Sequence, residues 1–350
     1  MPEALAQVRL AGLAVALPGE VLTSAEMENR LASLYERLRL PQGRLELMTG
    51  IRERRMWEPG VTASEASARA GRKLLDRALV PADEIDLVMH CAVCRDRLEP
   101  ATAAYVHQKL GLGRRTGFWD LSNACLGFLN GLHVAAGLVA AGQARAILLV
   151  SGENGRPLVE ATLRKLLDPD LNRRTIKPFF ANLTIGCGAV AALVTTADRF
   201  PDGAVFAGSA FLANSTFNHL CEGDTAEGDG LAMQTDSEEL LEAGVGLARE
   251  TWQAFGEATG WNATTPDRII CHQVGAAHRR RLYEALGLDL AKDYSTFPRL
   301  GNIGSVSLPI TLAEAVREGQ VKAGDQVALL GIGSGISCQM MALRMGAGMI

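Results

Sequence analysis

The sequence has no large excess of either charge and no secretory start. The formal net charge of the 350 residues is −4, and residues of both signs are mixed along the chain. A chain without a basic face is not expected to bind nucleic acid or anionic lipid surfaces. The first residues have neither the basic start nor the apolar stretch of a signal peptide. We therefore expect a cytoplasmic protein that has no nucleic-acid partner.

Long apolar runs are also missing. The most apolar stretch, residues 131–150, is interrupted by Gln143 and Arg145, so it predicts a buried helix followed by a strand rather than a membrane span. Basic residues within 52–55 and 279–281 could bind a ligand phosphate or lie on a solvated surface. The composition, 48% apolar and 21% charged, is typical of a globular protein, and the length predicts two packed units.

The cysteines do not form the pattern of a metal or disulfide site. There are seven, an odd number scattered through the chain, which favours reduced thiols in a reducing compartment. Cys91 and Cys94 form a C-x-x-C pair, but no second pair and no His-x-x-x-His motif accompanies them. We therefore expect neither a metal site nor disulfide exchange.

Buried strand patterns alternate with one-sided helical patterns, which predicts an α/β protein whose helices pack on mostly parallel sheets. Strands are predicted at residues 85–90, 116–121, 146–151, 189–194, 268–272 and 327–331. Helices are predicted at residues 63–78, 101–110, 126–141, 238–259 and 310–318. The order of these pieces repeats, so we expect two related halves joined near residues 175–190, with a ligand crevice between them.

Cys125 is the candidate nucleophile. It lies where a strand gives way to an apolar helix, and the free N–H groups of a helix N-terminus are expected to lower the pKa of its thiol. The small neighbours Ala124 and Gly127 leave room for a substrate carbonyl. The alternative is an ordinary buried cysteine of the core.

Three further positions carry candidate chemistry. His272 ends a predicted strand, and Asn302 lies in a glycine-rich loop, so two neutral donors could converge on one oxyanion. Glu99 precedes a proline at a helix start, where a carboxylate could also serve as a cap. The glycine-rich turn 331–335 could direct backbone N–H groups at a second oxyanion. Taken singly, each has a structural alternative as a strand end, turn or cap residue.

The combination resembles the Cys-His-Asn machinery of ketoacyl synthase III enzymes in the thiolase superfamily. The resemblance spans the chain and rests on segments 49–55, 123–128, 186–189, 271–274, 301–305 and 330–335. It implies a thiolase fold with two pseudo-twofold halves, residues 1–180 and 181–350, in a five-layered α-β-α-β-α arrangement. It also implies that Cys125 is acylated, that His272 and Asn302 form one oxyanion hole, and that the amides of Cys125 and Ser334 form the other.

Within the superfamily the sequence is most similar to the head-to-head acyl-CoA condensing enzymes of bacterial long-chain olefin synthesis. The distinguishing segment is 94–102, in which Glu99 matches a glutamate that those enzymes supply to the active site of the neighbouring subunit. The resemblance implies a homodimer that joins two fatty acyl-CoA molecules into a 2-alkyl-3-oxoacid, with acyl-CoA as substrate and no cofactor. It also implies a reductase and a β-lactone-forming enzyme as pathway partners.

Three alternatives stay open at this point. The first is a synthase that condenses acyl-CoA with malonyl-carrier protein, in which Glu99 would be a helix cap. The second is a synthase of the hydroxymethylglutaryl-CoA type. The third is a non-catalytic acyl-binding subunit on the same fold, which the joint presence of Cys125, His272 and Asn302 disfavours. An acetyl-CoA thiolase is also disfavoured, because Leu330 and Gly331 stand where that enzyme has a second cysteine.

Overall fold

The computed structural model describes residues 2–226, 230–272 and 274–349. The strands are β1 Val8–Ala16, β2 Glu20–Thr23, β3 Glu53–Met56, β4 Leu87–His90, β5 Gly117–Asp120, β6 Ala146–Asn154, β7 Cys187–Thr196, β8 Ala204–Ala213, β9 Cys221–Ala226, β10 Gly230–Thr235, β11 Arg268–Cys271, β12 Gln326–Gly333 and β13 Ser337–Arg344. The helices are α1 Pro2–Leu5, α2 Ser24–Arg30, α3 Ala32–Arg37, α4 Arg44–Thr49, α5 Ala63–Leu75, α6 Thr102–Leu110, α7 Gly127–Ala140, α8 Arg156–Leu166, α9 Ser237–Thr259, α10 Ala276–Leu286, α11 Phe297–Leu300 and α12 Ser307–Arg317.

The predicted strands and helices are confirmed, with shifts of a few residues at their ends. Residues 131–150 span the end of α7 and the start of β6, as expected. Within the ranges that the structure describes, no helix is both long and apolar enough to cross a bilayer. Gln273, in the predicted Cys-His-Gln-Val segment, lies outside the described residues.

The central sheet is mixed, so the expectation of mostly parallel sheets is wrong. The strand order is β11-β12-β13-β8-β1-β7-β6-β4-β5. Parallel pairing joins β11 to β12 and β4 to both β5 and β6, whereas the other five neighbouring pairs are antiparallel. The physical reason is that a strand covered on both faces is apolar throughout, whatever the direction of its neighbour.

The sheet order reveals the two related halves. From one edge the first half runs β5-β4-β6-β7-β1, and from the other edge the second half runs β11-β12-β13-β8. They meet at a short antiparallel seam, where Arg9 pairs with Val205 and Leu10 with Ala204. An isolated bridge between Ile269 and Asp293 stands where the second half lacks a counterpart of β5.

The division of the chain between residues 180 and 181 stays a prediction. The strand β7, which follows that point, pairs with β6 and β1 and therefore extends the first half of the sheet.

Helices cover and separate the two halves of the sheet. Helix α5 packs on the outer face of the first half, α9 packs on β8 and β13 of the second, and α7 and α12 lie together between the halves. Among the described residues, three apolar core clusters fill the spaces between these layers, and the five-layered α-β-α-β-α arrangement follows. Helix α7 of the middle layer begins two residues after Cys125, the candidate nucleophile.

Close packing between α5 and β6 gives a stability prediction. A methyl group added at Gly152 would lie 2.5 Å from the carbonyl oxygen of Ala63 and 2.7 Å from the amide nitrogen of Ser67. These are backbone atoms of a helix, which cannot relieve the overlap by a change of side-chain rotamer. Gly152→Ala is therefore expected to lower the free energy of unfolding by about 1–3 kcal/mol. The midpoint of urea unfolding measures this.

A matched glycine supplies the control for that change. Gly137 lies on an exposed face of α7, and nothing beyond its own helix backbone lies within 4 Å of an added methyl group. Gly137→Ala is therefore expected to raise the free energy of unfolding by about 0.5–1 kcal/mol, because alanine loses less backbone entropy in a helix. Shifts of the same sign in both variants would contradict the packing described for β6.

Candidate active site

One cavity of about 1950 Å³ is lined by residues from both halves of the chain. Four predicted site residues are on its wall: Cys125, His272, Asn302 and Ser334. The first comes from the turn before α7, and the other three come from turns that follow β11, α11 and β12. Residues that the sequence assigns to one site therefore line the same cavity, although they are up to 209 positions apart in the chain (334 − 125). Their catalytic roles stay predictions.

Cys125 lies in a tight turn between β5 and α7. The preceding residue, Ala124, has a positive φ of 45°, a conformation that costs an L-residue energy and is found at functional turns. The amide of Leu126 donates to the carbonyl of Asn123 at 2.9 Å and closes the turn. This geometry leaves Cys125 at the cavity wall, directly before the helix begins.

The expectation of a lowered thiol pKa is wrong. Burial is the largest cause that raises the pKa of Cys125 to about 12, and the nearby Cys221 and Glu153 raise it further. A helix dipole contributes roughly 0.3–1 kcal/mol, which corresponds to less than one pKa unit. Desolvation by the surrounding protein is therefore the stronger effect on the pKa of Cys125, and its thiol is neutral at pH 7.

Two glycines bring the turn after β12 against the nucleophile. A methyl group at Gly331 would lie 2.5 Å from Leu126 Cδ2, and one at Gly333 would lie 3.2 Å from Leu126 Cγ and 3.7 Å from Cys125 N. A side chain at Gly331 would therefore have to displace the ends of Leu126 and Leu129, whose Cδ2 atoms would lie 2.5 and 2.9 Å from its first carbon. The next residue, Ser334, also lines the cavity.

His272 is fixed by the end of β11. Its amide donates to the carbonyl of Leu330 at 2.8 Å, which continues the pairing with β12 by one residue. Burial, with a smaller effect from His278, lowers the pKa of His272 to about 4. Its Nδ1 is buried and accepts no hydrogen bond from the described residues. The ring is therefore neutral at pH 7 and has one N–H to donate.

Backbone hydrogen bonds fix both the amide and the carbonyl of Asn302. Its amide donates to Thr184 O, and its carbonyl accepts from Gly186 N, both at 2.9 Å. The side-chain Oδ1 accepts from Gly304 N at 3.1 Å. Because the oxygen is occupied, the side-chain nitrogen is the group of Asn302 that is left to donate into the cavity.

Glu99 is not brought to the same cavity as the other site residues. Its side chain is exposed, while the preceding Arg97 and Leu98 line the cavity wall. The segment leads into α6, whose first amides at Thr102 and Ala103 donate to Asp120 rather than to Glu99. Asp120 therefore caps α6, and the reading of Glu99 as a helix cap finds no hydrogen bond to support it in the described residues.

The two cysteines of the C-x-x-C pair lie in different environments. All seven cysteines are free, and the described residues contain no group of His, Cys, Asp and Glu side chains arranged to hold a metal ion. Cys91 is fully buried beneath α7, where its sulfur would lie 2.4 Å from a methyl group added at Gly131. Cys94 lines the cavity, and its sulfur accepts from Asn154 N at 3.4 Å.

The residues of the two basic clusters lie in different environments, and Arg52 and Arg280 are exposed, as the solvated reading expects. Arg54 is fully buried and donates to Leu183 O at 2.8 Å and to Ser24 Oγ at 3.0 Å, so it holds backbone and binds no phosphate. Burial lowers the pKa of Arg54 to about 10, which still leaves it charged at pH 7. Arg279 lines the cavity and forms an ion pair of 2.6 Å with the buried Asp293.

One buried carboxylate on the cavity wall is missing from the predicted site. Glu153 ends the apolar part of β6 and is 4% exposed. It accepts hydrogen bonds from Val93 N, Cys94 N and Ser305. An acidic residue at the carboxyl end of an apolar strand is the sequence signal that could have identified it.

Comparison with known proteins agrees with this geometry. Residues 119–209 match the family described as 3-oxoacyl-[acyl-carrier-protein] synthase III, and residues 257–345 match the C-terminal family of the same enzymes. A beta-ketoacyl-[acyl-carrier-protein] synthase III of Deinococcus deserti is 31% identical, over 84% of this chain and 80% of its own. Fold and site together define a thiolase-type condensing enzyme.

Two curated relatives are more similar than that synthase. The acyl-CoA:acyl-CoA alkyltransferase of Shewanella oneidensis is 37% identical over 97% of this chain and 99% of its own, and that of Xanthomonas campestris is 36% identical over 95% and 97%. The chain belongs to the acyl-CoA:acyl-CoA alkyltransferase family. A structure of Xanthomonas campestris OleA, a cysteine-to-serine variant with bound lauric acid and lauroyl-CoA, superposes with a TM-score of 0.92 at 36% identity over 97% of this chain and 99% of its own.

The raised pKa of Cys125 predicts how its alkylation depends on pH. Iodoacetamide reacts with the thiolate, so the rate at Cys125 is expected to rise about tenfold per pH unit from pH 7 to pH 10 without a plateau. Mass spectrometry of the peptide that contains Cys125 follows the reaction. Cys125→Ala supplies the background from the other six cysteines. A plateau below pH 9 would contradict the neutral resting thiol.

Proposed function

We propose that the chain joins two fatty acyl-CoA molecules head to head in a Claisen condensation without decarboxylation, which gives a 2-alkyl-3-oxoacid. The observation that carries the proposal is the single cavity lined by Cys125, His272, Asn302 and Ser334. Its volume exceeds the roughly 300–1,000 Å³ of ordinary ligand pockets, which suits two long alkyl chains. The family name and the lauroyl-CoA bound to an OleA variant support acyl-CoA as the substrate.

In the first half-reaction Cys125 takes an acyl group from CoA. Its sulfur attacks the thioester carbonyl, the bond between that carbon and the CoA sulfur breaks, and CoA leaves with the proton of the thiol. The transient oxyanion accepts hydrogen bonds from the backbone amides of Cys125 and Ser334. Removal of one such donor typically costs a factor of about 10²–10³ in rate.

In the second half-reaction a carbanion forms on the next acyl-CoA. Glu99 of the partner subunit removes the α-proton, and the enolate oxygen is held by the neutral donors of His272 and Asn302. The α-carbon attacks the acyl-Cys125 carbonyl, the carbon–sulfur bond breaks, and the thiol recovers a proton. Water then hydrolyses the remaining thioester and releases the second CoA. Every step uses groups of this chain and its substrates, so we propose that no cofactor takes part.

A homodimer is part of the proposal because Glu99 does not line the cavity of its own chain. Strand β5 is the edge of the central sheet, all four of its residues are exposed, and Phe118 and Trp119 are 45% and 51% exposed. An exposed edge with large apolar side chains favours pairing with a second copy. The neighbouring Leu98 is 86% exposed. We propose that this edge is the subunit interface and that it delivers Glu99 to the partner.

Basic side chains on the cavity wall support the binding of CoA phosphates. Among them are Arg39, Arg44, Arg174 and Lys177. Cationic side chains of this kind bind phosphate through charge-assisted hydrogen bonds.

We further propose cytoplasmic residence, which the free thiols support. We also propose that a reductase and a β-lactone-forming enzyme consume the oxoacid.

Supplying one acyl-CoA and no malonyl donor tests the reaction type. With myristoyl-CoA alone, the enzyme is expected to release free CoA and form a long-chain ketone by decarboxylation of the oxoacid. Glu99→Gln is expected to abolish the ketone while Cys125 is still acylated, because only the second half-reaction needs the base. A positioned base contributes about 10²–10⁴-fold. Condensation that begins only when malonyl-carrier protein is added would establish the decarboxylating synthase instead.

Mixing two inactive variants tests whether Glu99 acts across the interface. A Cys125→Ala chain keeps Glu99, and a Glu99→Gln chain keeps Cys125, so a mixed dimer contains one complete site if the glutamate acts in the partner. After full subunit exchange at equal amounts, about one quarter of wild-type condensation is expected. Each variant alone is the control. No recovery, although native mass spectrometry detects the mixed dimer, would place Glu99 in the site of its own chain or outside the reaction.

A further inference from the structure

Glu153 connects three segments of the site. Its Oε1 accepts from Val93 N at 2.9 Å, and its Oε2 accepts from Cys94 N at 3.1 Å. From the other side, Ser305 donates its amide at 3.2 Å and its hydroxyl at 2.5 Å to Oε1. The strand β6 that carries Glu153 is fixed between β4 and β7, so a rigid element holds two loops through one carboxylate.

Both loops lead directly to groups of the condensation step. Val93 and Cys94 begin the segment that ends at Glu99 and crosses to the partner in the proposed dimer. Ser305 follows the turn of Asn302, whose own Oδ1 is held by Gly304. A methyl group at Gly304 would lie 3.1 Å from the carboxyl group of Glu153, so the turn is packed directly against it.

We infer that Glu153 is a positioning residue for the condensation half-reaction: it sets the Asn302 turn in its own site and the Glu99 segment that serves the partner's site. This inference rests on the proposed function. A carboxylate suits the position because all four groups that face it are donors, and a carboxylate only accepts. A glutamine would turn an NH₂ group toward at least one of them and leave a buried donor unpaired.

Among the described residues, Glu153 forms no hydrogen bond with the turns that carry the proposed acylation groups. Its hydrogen bonds reach residues 93, 94 and 305 and not the turn of Cys125 or the glycine turn. The nucleophile turn is closed by its own backbone, and a chain of side-chain amides, Asn123 to Asn130 to Gln339, connects it to β13. The two half-reactions therefore depend on different hydrogen-bonded supports. Through its charge Glu153 also raises the pKa of Cys125, as a smaller cause than burial, so a change at Glu153 should affect condensation more than acylation.

The test is Glu153→Gln, with the two half-reactions measured separately. Intact mass spectrometry gives the rate of Cys125 acylation by myristoyl-CoA, and single-turnover ketone formation from the preacylated enzyme gives the rate of condensation. Acylation is expected within a few-fold of wild type, and condensation is expected to fall by a factor on the order of ten to a hundred, because displacements near 1 Å have such effects. Equal losses in both would mean a merely structural role, and no loss of condensation would overturn the inference.

Glu28→Gln is the matched control. Glu28 is also buried, and it accepts from Gly43 N at 2.6 Å, Leu45 N at 2.7 Å and Tyr35 OH at 3.0 Å. It does not line the cavity. This variant is expected to lose thermal stability without changing the ratio of condensation to acylation. The two proposals fail in different ways. Wild-type enzyme that is acylated but never condenses would refute the proposed function. A ratio of condensation to acylation that is the same in Glu153→Gln as in wild type would refute only the role inferred for Glu153.

Mixed dimers separate the two loops that Glu153 holds. When Glu153→Gln stands on the Cys125→Ala chain, the one live site has a wild-type Asn302 turn and receives Glu99 from the altered chain. In the second arrangement one chain carries only Glu153→Gln and its partner carries only Cys125→Ala. The live site then has the altered Asn302 turn and receives Glu99 from a chain with an unaltered Glu153. Condensation is expected to fall in both, relative to wild type mixed with Cys125→Ala. A loss in neither arrangement would contradict the inference.

Discussion

The site depends on the close approach of a glycine turn to the start of a buried helix. Gly331 and Gly333 lie against Leu126 and the amide of Cys125, and a methyl group at Gly331 would lie 2.5 Å from Leu126 Cδ2. This contact joins Cys125, from the first half of the chain, to the turn that follows β12 in the second. The same sheet register places His272 one residue past β11, next to that turn. The pseudo-twofold arrangement thus makes one cavity from two incomplete halves.

Burial then determines the charge of Cys125 and of His272. Removal from water raises the pKa of Cys125 and lowers that of His272, so both side chains are uncharged at rest. A neutral imidazole stabilises a developing oxyanion by donating an N–H, without the desolvation cost of a buried cation. An unactivated acyl thioester in addition needs a base for its weakly acidic α-proton. In the proposed dimer that base is the carboxylate of Glu99, which remains exposed until the partner covers it.

Much of this could be predicted from the sequence, because apolar periodicity and strand-end motifs are local signals. The helices and the strands follow from such signals, whereas the assignment of Cys125, His272 and Asn302 to one site came from the resemblance to the ketoacyl synthase III family. The direction of strand pairing does not, since strands covered on both faces look alike. The thiol pKa was mispredicted because a helix N-terminus is visible in the sequence, whereas the closure of a cavity around the sulfur is not. Glu153 was missed because its partners, Val93 and Ser305, are 60 and 152 positions away.

The central claim is that the second carbanion arises by removal of a proton and attacks acyl-Cys125. The most direct measurement uses enzyme preacylated at Cys125, mixed in a single turnover with acyl-CoA that carries two deuterium atoms on the α-carbon. The account predicts that ketone forms without any malonyl donor and more slowly from the deuterated substrate, with a primary isotope effect on condensation and none on acylation. Three results would contradict the account. They are equal condensation rates from the two substrates, condensation by Glu99→Gln at the wild-type rate, and condensation that begins only after a malonyl donor is added.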